Sequence, residues 1–503
     1  MHTELDGENL RVNTVIDVAD GLVDVGVSTR ALKRVVEAHN YVRRLVDEER
    51  VVYGVTTGFG SLSSKRVSRE DAEKLQRNLV RSHSAGVGDR LPNRLVRAAM
   101  LLRLNTLLKG HSGSSPETVN ILVEMLNRNI VPIVPEHGSL GASGDLAPLA
   151  HIALCVMGEG VVVHRGREKK AAQAFAEEGL KPVTLGAKEG LALINGTQMT
   201  TAGACIGIAE ARGLVESFEL ASALTIQALG SRTDFLDERV HIARGLGGQT
   251  LSARSLREKL LGSSCTDRSQ RVQEAYSIRC IPQVHGAARE ALDFSEKIVE
   301  AEINAATDNP LLFPADDAVI SGGNFHAQPV AMVLDLLLIA MLPLGNLSER
   351  RVERLLNPSL SGLPAFLTNN SGLNSGYMVA QYTAASILAE CRVLAHPASV
   401  DTASVSASQE DHASMGFTAA KKLLRALDNL WYIAAVEALC AVRAVELAGV
   451  VDGLSPATRR VYSEIRARVP ALNEDGVVGP HIEEVKNVLR GLATKPKQPE
   501  VGR

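Results

Sequence analysis

From about residue 200 onward the chain runs in long alanine- and leucine-rich stretches whose apolar side chains return every three or four residues. Leu423, Leu427, Leu430, Ala434 and Ala438 do so on the approach to Gly449. That spacing puts them on one stripe of an α-helix, a stripe that packing against further helices covers. The run Leu334 to Met341 is apolar on nearly every helical face, which predicts burial between helices or between subunits, and hence a homo-oligomer. Residues 201–490 are therefore expected to form a long helix bundle.

The first 200 residues alternate helices with glycine-rich loops. Ser28 and Thr29 offer an N-cap to a helix carrying Leu32, Val35, Val36 and Val42, which ends before the loop Tyr53-Gly-Val-Thr-Thr-Gly-Phe-Gly60. A second helix is predicted from near Asn93, presenting Leu95, Ala99 and Leu102, and a third from Asp145 through Met157. The expected fold class is mainly α: an N-terminal helical domain over residues 1–200, the bundle over 201–490, and a disordered polar tail over 491–503, where Lys495-Pro-Lys-Gln-Pro stands.

Charge and cysteine usage exclude several classes. The net charge is −3 over 503 residues, with basic side chains dispersed among acidic ones, so there is no footprint for nucleic acid or an anionic membrane and a small-molecule partner is expected. The six cysteines are scattered without a Cys-x-x-Cys pair or a Cys/His cluster, which argues against a metal site and for a reducing, cytoplasmic compartment. The acidic N-terminus has no apolar signal core, and the run Leu336 to Leu344, interrupted by Pro343, is too short to cross a bilayer.

The chemistry is concentrated in residues 138–151, Gly-Ser-Leu-Gly-Ala-Ser-Gly-Asp-Leu-Ala-Pro-Leu-Ala-His. Within them Ala142-Ser143-Gly144 can build an electrophile from backbone: the Gly144 nitrogen attacks the Ala142 carbonyl, and loss of water, including the Ser143 hydroxyl, leaves a five-membered ring with an exocyclic methylene. Glycine reaches the strained geometry, alanine does not obstruct it, and serine carries the hydroxyl that leaves. Asp145 reads as the N-cap of the following helix, whose positive end would stabilise negative charge developing on the ring.

This stretch resembles the signature of the aromatic amino-acid ammonia-lyase family. Its members use that ring, 4-methylideneimidazol-5-one, as their only prosthetic group and no external cofactor. The resemblance runs in order from about residue 30 to about residue 450. It implies that Tyr53 removes the substrate β-proton, which requires a phenol near pKa 10 to be held as phenolate. It places Asn195, in Leu193-Ile-Asn-Gly-Thr-Gln198, and Tyr276 near the ring and the amine. Gln273 belongs to the same substrate-binding cluster, Arg279 would bind the carboxylate through a planar two-point contact, and Phe325 in Ser321-Gly-Gly-Asn-Phe-His326 would pack beside the electrophile.

Ser82-His83 and Glu410 are similar to the pair that marks the histidine-specific members, where an imidazole needs a polar partner at each nitrogen. The implied reaction is elimination of ammonia from L-histidine to give trans-urocanate, the first step of histidine degradation, in a homotetramer that shares each active site between subunits. Two departures stand out: Ser115 occupies the place of a family arginine after Gly110-His-Ser-Gly, and Glu274-Ala275 replaces a common Asp-Pro. The competing readings are a phenylalanine or tyrosine ammonia-lyase, an aminomutase using the same electrophile, and a non-catalytic helical scaffold. A metal site at Glu410-Asp411-His412 is disfavoured because successive side chains diverge, and a serine hydrolase because Ser143 lacks a Gly-x-Ser-x-Gly elbow.

Overall fold

A computed structural model describes residues 2–68 and 70–494, and it is mainly α-helical. Ser28 caps the helix Thr29–Asp47 by accepting from the Ala31 N–H, and Ala31, Val35, Ala38, Tyr41, Val42 and Leu45 form its buried stripe. The helix Asn93–Leu107 begins where the sequence suggests, directly after Pro92, and is buried on almost every face, Arg97 and Arg103 included. The predicted helix after the electrophile run spans Leu146–Val156, with Pro148 in its first turn, where its missing N–H leaves no helical bond unmade.

The longest helices are Gln198–Ala228, Ile281–Glu302, Gln328–Leu356 and Gly416–Leu447. The helix Gln328–Leu356 extends the apolar run read from sequence by several turns on either side, so by length and composition alone it could cross a membrane. Most of its apolar window is buried in the protein, as in the core helix of a bundle. Strands are few and short, and the sequence reading did not place them. They comprise a parallel pair His2–Leu5 with Asp24–Val27, antiparallel pairs Val87–Arg90 with Pro135–His137 and Leu311–Phe313 with Ala318–Ile320, and one three-stranded sheet.

The chain divides into two compact units, each discontinuous in sequence. Among the described residues, the first comprises 2–68, 70–209, 295–335 and 397–421; the second comprises 210–294, 336–396 and 422–494. In the first, Tyr41, Val42, Leu45, Val52, Val55 and Leu312 pack into one apolar cluster. In the second, Ala223, Ile226, Leu236, Ala253, Leu256, Leu260, Ile278 and Ile281 do so. Each large aliphatic side chain so buried contributes about 1.5–3 kcal/mol. The helix Gly479–Thr494 covers residues 491–494 of the tail expected from composition, and residues 495–503 lie outside the described residues.

Candidate active site

The Ala142-Ser143-Gly144 triplet lies in the first unit, in a loop that ends at the N-terminus of the helix Leu146–Val156. Gly144 adopts φ +77°, and a Cβ there would collide with the backbone of Gly196, so the position admits only glycine. Asn195, at the C-terminal end of the helix Glu189–Ile194, donates from Nδ2 to the Ser143 hydroxyl at 2.9 Å and to the Ser143 carbonyl at 2.9 Å. The Asp145 N–H donates to the Gly196 carbonyl at 2.7 Å, locking the two loops together. Residues 195–197 lead into the helix Gln198–Ala228, so a second helix N-terminus begins beside the triplet. This arrangement fits the ring: the glycine the chemistry requires is sterically imposed, and one amide serves both oxygen atoms of the central serine.

Asp145 corrects one expectation. It occupies the N-cap position of the helix Leu146–Val156, but with φ −91° and ψ 53° it lacks the extended backbone that aims a capping side chain at its own helix. Its buried carboxylate instead accepts from the Thr200 N–H at 2.8 Å and the Thr200 hydroxyl at 3.0 Å, in the first turn of the helix Gln198–Ala228, and from the Ser139 hydroxyl at 2.8 Å. Burial raises its pKa, and these hydrogen bonds oppose the rise.

Tyr53 and Glu410 meet at Gly60. The Tyr53 hydroxyl accepts from the Gly60 N–H at 3.0 Å, while a Cβ on Gly60 would lie 2.5 Å from Ser406 Oγ and 3.8 Å from Glu410 Oε1. Glu410 closes a tight turn in which Ser406, Ala407 and Ser408 all have positive φ, and its backbone pairs with Val405. The Tyr53 pKa is raised, first by burial and then by the charges of Glu410 and Asp308, with the Gly60 N–H pulling the other way. The phenolate expected from sequence is therefore disfavoured in the isolated chain. Glu410 is also raised, by burial.

The loop carrying Glu410 docks on the electrophile loop. The Met415 N–H donates to the Leu140 carbonyl at 2.9 Å, and the Ser414 hydroxyl donates to the Gly141 carbonyl at 3.2 Å. His83 ends the helix Ala72–His83 with Nδ1 3.1 Å from Ser82 Oγ, and burial lowers its pKa, favouring the neutral ring. The strand Val87–Arg90 beyond it pairs with Pro135–His137, which runs into the electrophile loop. Phe325 is half-buried in the loop before the helix Gln328–Leu356. Its neighbour His326 places Nε2 3.2 Å from Nδ1 of His412, tying this loop to the one with Glu410.

Gln273, Tyr276 and Arg279 belong to the second unit. Tyr276 and Arg279 bound the one-turn helix Tyr276–Arg279, where the guanidinium stacks on the phenol ring 4.5 Å from its centroid. Arg351 Nη1 donates to the Ser277 carbonyl at 3.0 Å and is itself held by Glu437 at 2.6 and 2.8 Å, a fully buried pair. Gln273 is exposed, and Tyr276 is 70% exposed. At the family departures, Ser115 caps the helix Pro116–Asn127, and the buried Glu274 carboxylate accepts from the Arg232 N–H at 3.1 Å.

Sequence reasoning did not anticipate Arg103, Arg351, Ser414 or the His326–His412 contact. For Arg103 a signal exists, an arginine flanked by leucines in the apolar run Ala98–Leu104 of the helix Asn93–Leu107. Among the described residues no group of three or more His, Cys, Asp or Glu side chains is placed to hold a metal. A separate cleft of about 670 Å³ in the first unit, lined by His39, Arg43, Glu73, Glu117 and Lys181 among others, contains none of the predicted site residues.

Comparison with known proteins agrees with this geometry. The aromatic amino acid lyase family matches residues 10–467. A histidine ammonia-lyase of Symbiobacterium thermophilum is 50% identical over 485 residues, covering 96% of each chain. The crystal structure of histidine ammonia-lyase from Trypanosoma cruzi superposes with a TM-score of 0.91 at 40% identity, covering 98% of this chain and 94% of that one. A tyrosine aminomutase from Streptomyces globisporus gives a TM-score of 0.94 at 38% identity, covering 98% and 97%. The chain belongs to the aromatic amino acid lyase family, and it is a carbon–nitrogen lyase.

Proposed function

We propose that this chain is a histidine ammonia-lyase, releasing ammonia from L-histidine to form trans-urocanate. The observation that carries the catalytic part is the Asn195 amide held 2.9 Å from both oxygens of Ser143, in a triplet whose third position has room only for glycine. A helical scaffold has no need of that arrangement. Once formed, the 4-methylideneimidazol-5-one group supplies an electrophile for the substrate amine, which leaves more readily as a result.

Within this reading the chain's own residues bind and orient the substrate and move its proton. Arg279 pairs with the carboxylate, and Gln273 lies in the same binding segment. His83, neutral through burial, and Glu410 each meet one nitrogen of the substrate imidazole. Tyr53 takes the β-proton at its phenolic oxygen, while Tyr276 and Asn195 attend the amine and Phe325 closes the site beside the triplet. The choice of histidine over phenylalanine or tyrosine rests on His83 and Glu410, which suit a polar ring, and on the relatives that carry the same name at about half identity.

A homotetramer with shared sites, in the cytoplasm, completes the proposal. Val272 and Tyr276, 93% and 70% exposed in the single chain, are the kind of apolar surface a partner subunit covers. All six cysteines are unpaired, as a reducing compartment favours. The test is incubation of purified protein with histidine, phenylalanine and tyrosine, followed by ultraviolet spectra and ammonia release. Urocanate from histidine alone is expected; cinnamate or coumarate without urocanate contradicts the assignment.

A further inference from the structure

Behind the triplet stands a buried guanidinium. Arg103, 1% exposed, directs Nη1 at three oxygens: the Asn195 carbonyl at 3.0 Å, Gln198 Oε1 at 2.9 Å and the Thr307 carbonyl at 3.1 Å. Two of these flank Gly196. A Cβ on Gly196 would collide with Arg103 Nη1 and lie 2.6 Å from the Thr307 carbonyl, and a Cβ on Gly144 would collide with Gly196 in turn. Gly196, without a side chain, thus fills the space between the guanidinium and Gly144, and the guanidinium also holds the Asn195 carbonyl.

The charge of Arg103 is not neutralised by a direct partner. Asp308, whose charge acts on it, is 2.7 Å from Lys188, and both side chains of that pair are fully buried. Burial lowers the arginine only to about 10, so it remains charged at neutral pH. Burying a guanidinium without a salt bridge is costly, and here it serves carbonyl and amide oxygens in the segment that touches Ser143.

We infer that Arg103 is a positioning residue for the Ala142-Ser143-Gly144 triplet, fixing Asn195 and Gly196 against it during both ring formation and turnover. In ring formation the bond from Gly144 N to the Ala142 carbonyl carbon is made. The Ala142 oxygen leaves as water with the hydrogens of the Gly144 and Ser143 nitrogens, and the Ser143 hydroxyl leaves as a second water with the Ser143 Cα proton. Closure needs Gly144 N held over the Ala142 carbon, and departure of the hydroxyl needs the Asn195 donor on Ser143 Oγ. Arg103 secures both through Gly196 and the Asn195 carbonyl.

The inference rests on the proposed function, and the test separates the two. Wild type, Arg103→Met, Arg103→Lys and, as a control, Arg97→Met are purified, the folded fraction is isolated by gel filtration, and intact mass is measured together with initial rates on histidine. Arg97 lies on the same helix and is also buried, but its bonds go to Val18, Ala19, Leu126 and Asn129. Folded Arg103→Met is expected to contain full-mass chains and to lose at least about tenfold in kcat with KM changed less than about twofold, with Arg103→Lys intermediate. Arg97→Met loses stability but matures as wild type does.

Should Arg103→Met not fold, Arg103→Lys, which keeps the charge but lacks the planar fork, takes its place, and the same two readouts apply. Folded Arg103→Met, or Arg103→Lys in its place, that is fully dehydrated with wild-type kcat overturns the inference alone. A wild-type chain at full mass overturns this inference, and one that also yields no urocanate overturns the functional reading with it.

Discussion

The Asn195 side-chain amide donates to the hydroxyl and to the carbonyl of Ser143, each at 2.9 Å, so one residue commands both oxygens of the central serine. Such a donor is worth most when charge develops on the oxygen it faces, inside a site that excludes water. Replacing Asn195 with Ala should leave the fold intact and lower kcat by about 10²–10³, the range for loss of one preorganised donor. Steady-state kinetics on histidine check this, and an unchanged kcat would remove Asn195 from the reaction.

Tyr53 and Glu410 are electrically coupled through their shared position at Gly60. Burial and the Glu410 charge raise the Tyr53 pKa, so the phenolate population, and with it the rate, should climb as pH rises through the alkaline range. Glu410→Gln removes one of the raising charges, so the alkaline limb of kcat should move toward lower pH while KM for histidine increases. A limb that stays in place, or moves the other way, contradicts the coupling.

Lys188 and Asp308 form a fully buried ion pair at 2.7 Å. Removing one partner strands the other charge in the interior, so Lys188→Met or Asp308→Asn should each cost about 3–5 kcal/mol, and the double variant Lys188→Met/Asp308→Asn should cost less than the sum of the two single changes. Denaturant unfolding midpoints measure this. Additive losses would mean the pair is not coupled.

In the second unit, the Arg351–Glu437 pair reaches the Ser277 carbonyl and so sets the one-turn helix that bears Tyr276 and Arg279. Glu437→Gln weakens the grip on Arg351 and should lower kcat/KM on histidine by about tenfold, since small misplacements of positioning groups are costly. Equal kcat/KM in variant and wild type would show that the short helix is fixed by other contacts.

Much of this was legible in the sequence because the signals are local. The Ser28 cap, the start at Asn93 and the long helix ending near Gly449 follow from hydroxyl, proline and apolar spacing along one segment. The triplet stands out in the sequence for the same reason, since the chemistry that the resemblance implies for it is carried by three adjacent residues. What stayed hidden depends on contacts between distant segments: Asp145 caps the helix begun near Thr200 and not its own, and Arg103 serves Asn195 and Thr307. The interleaving of the two units is equally non-local, because segments 295–335 and 397–421 return to the first unit after the chain has entered the second. The short strands were missed because pairs of two to four residues leave no period-two pattern long enough to read.

The central claim is that Ala142, Ser143 and Gly144 condense into the electrophile, and the most direct measurement is the intact mass of the purified chain beside that of Ser143→Ala. The account predicts a wild type lighter than its sequence by two water molecules, and a folded Ser143→Ala variant that lacks the exocyclic methylene and nearly all turnover. A wild-type chain at its full sequence mass that nevertheless converts histidine to urocanate would contradict it.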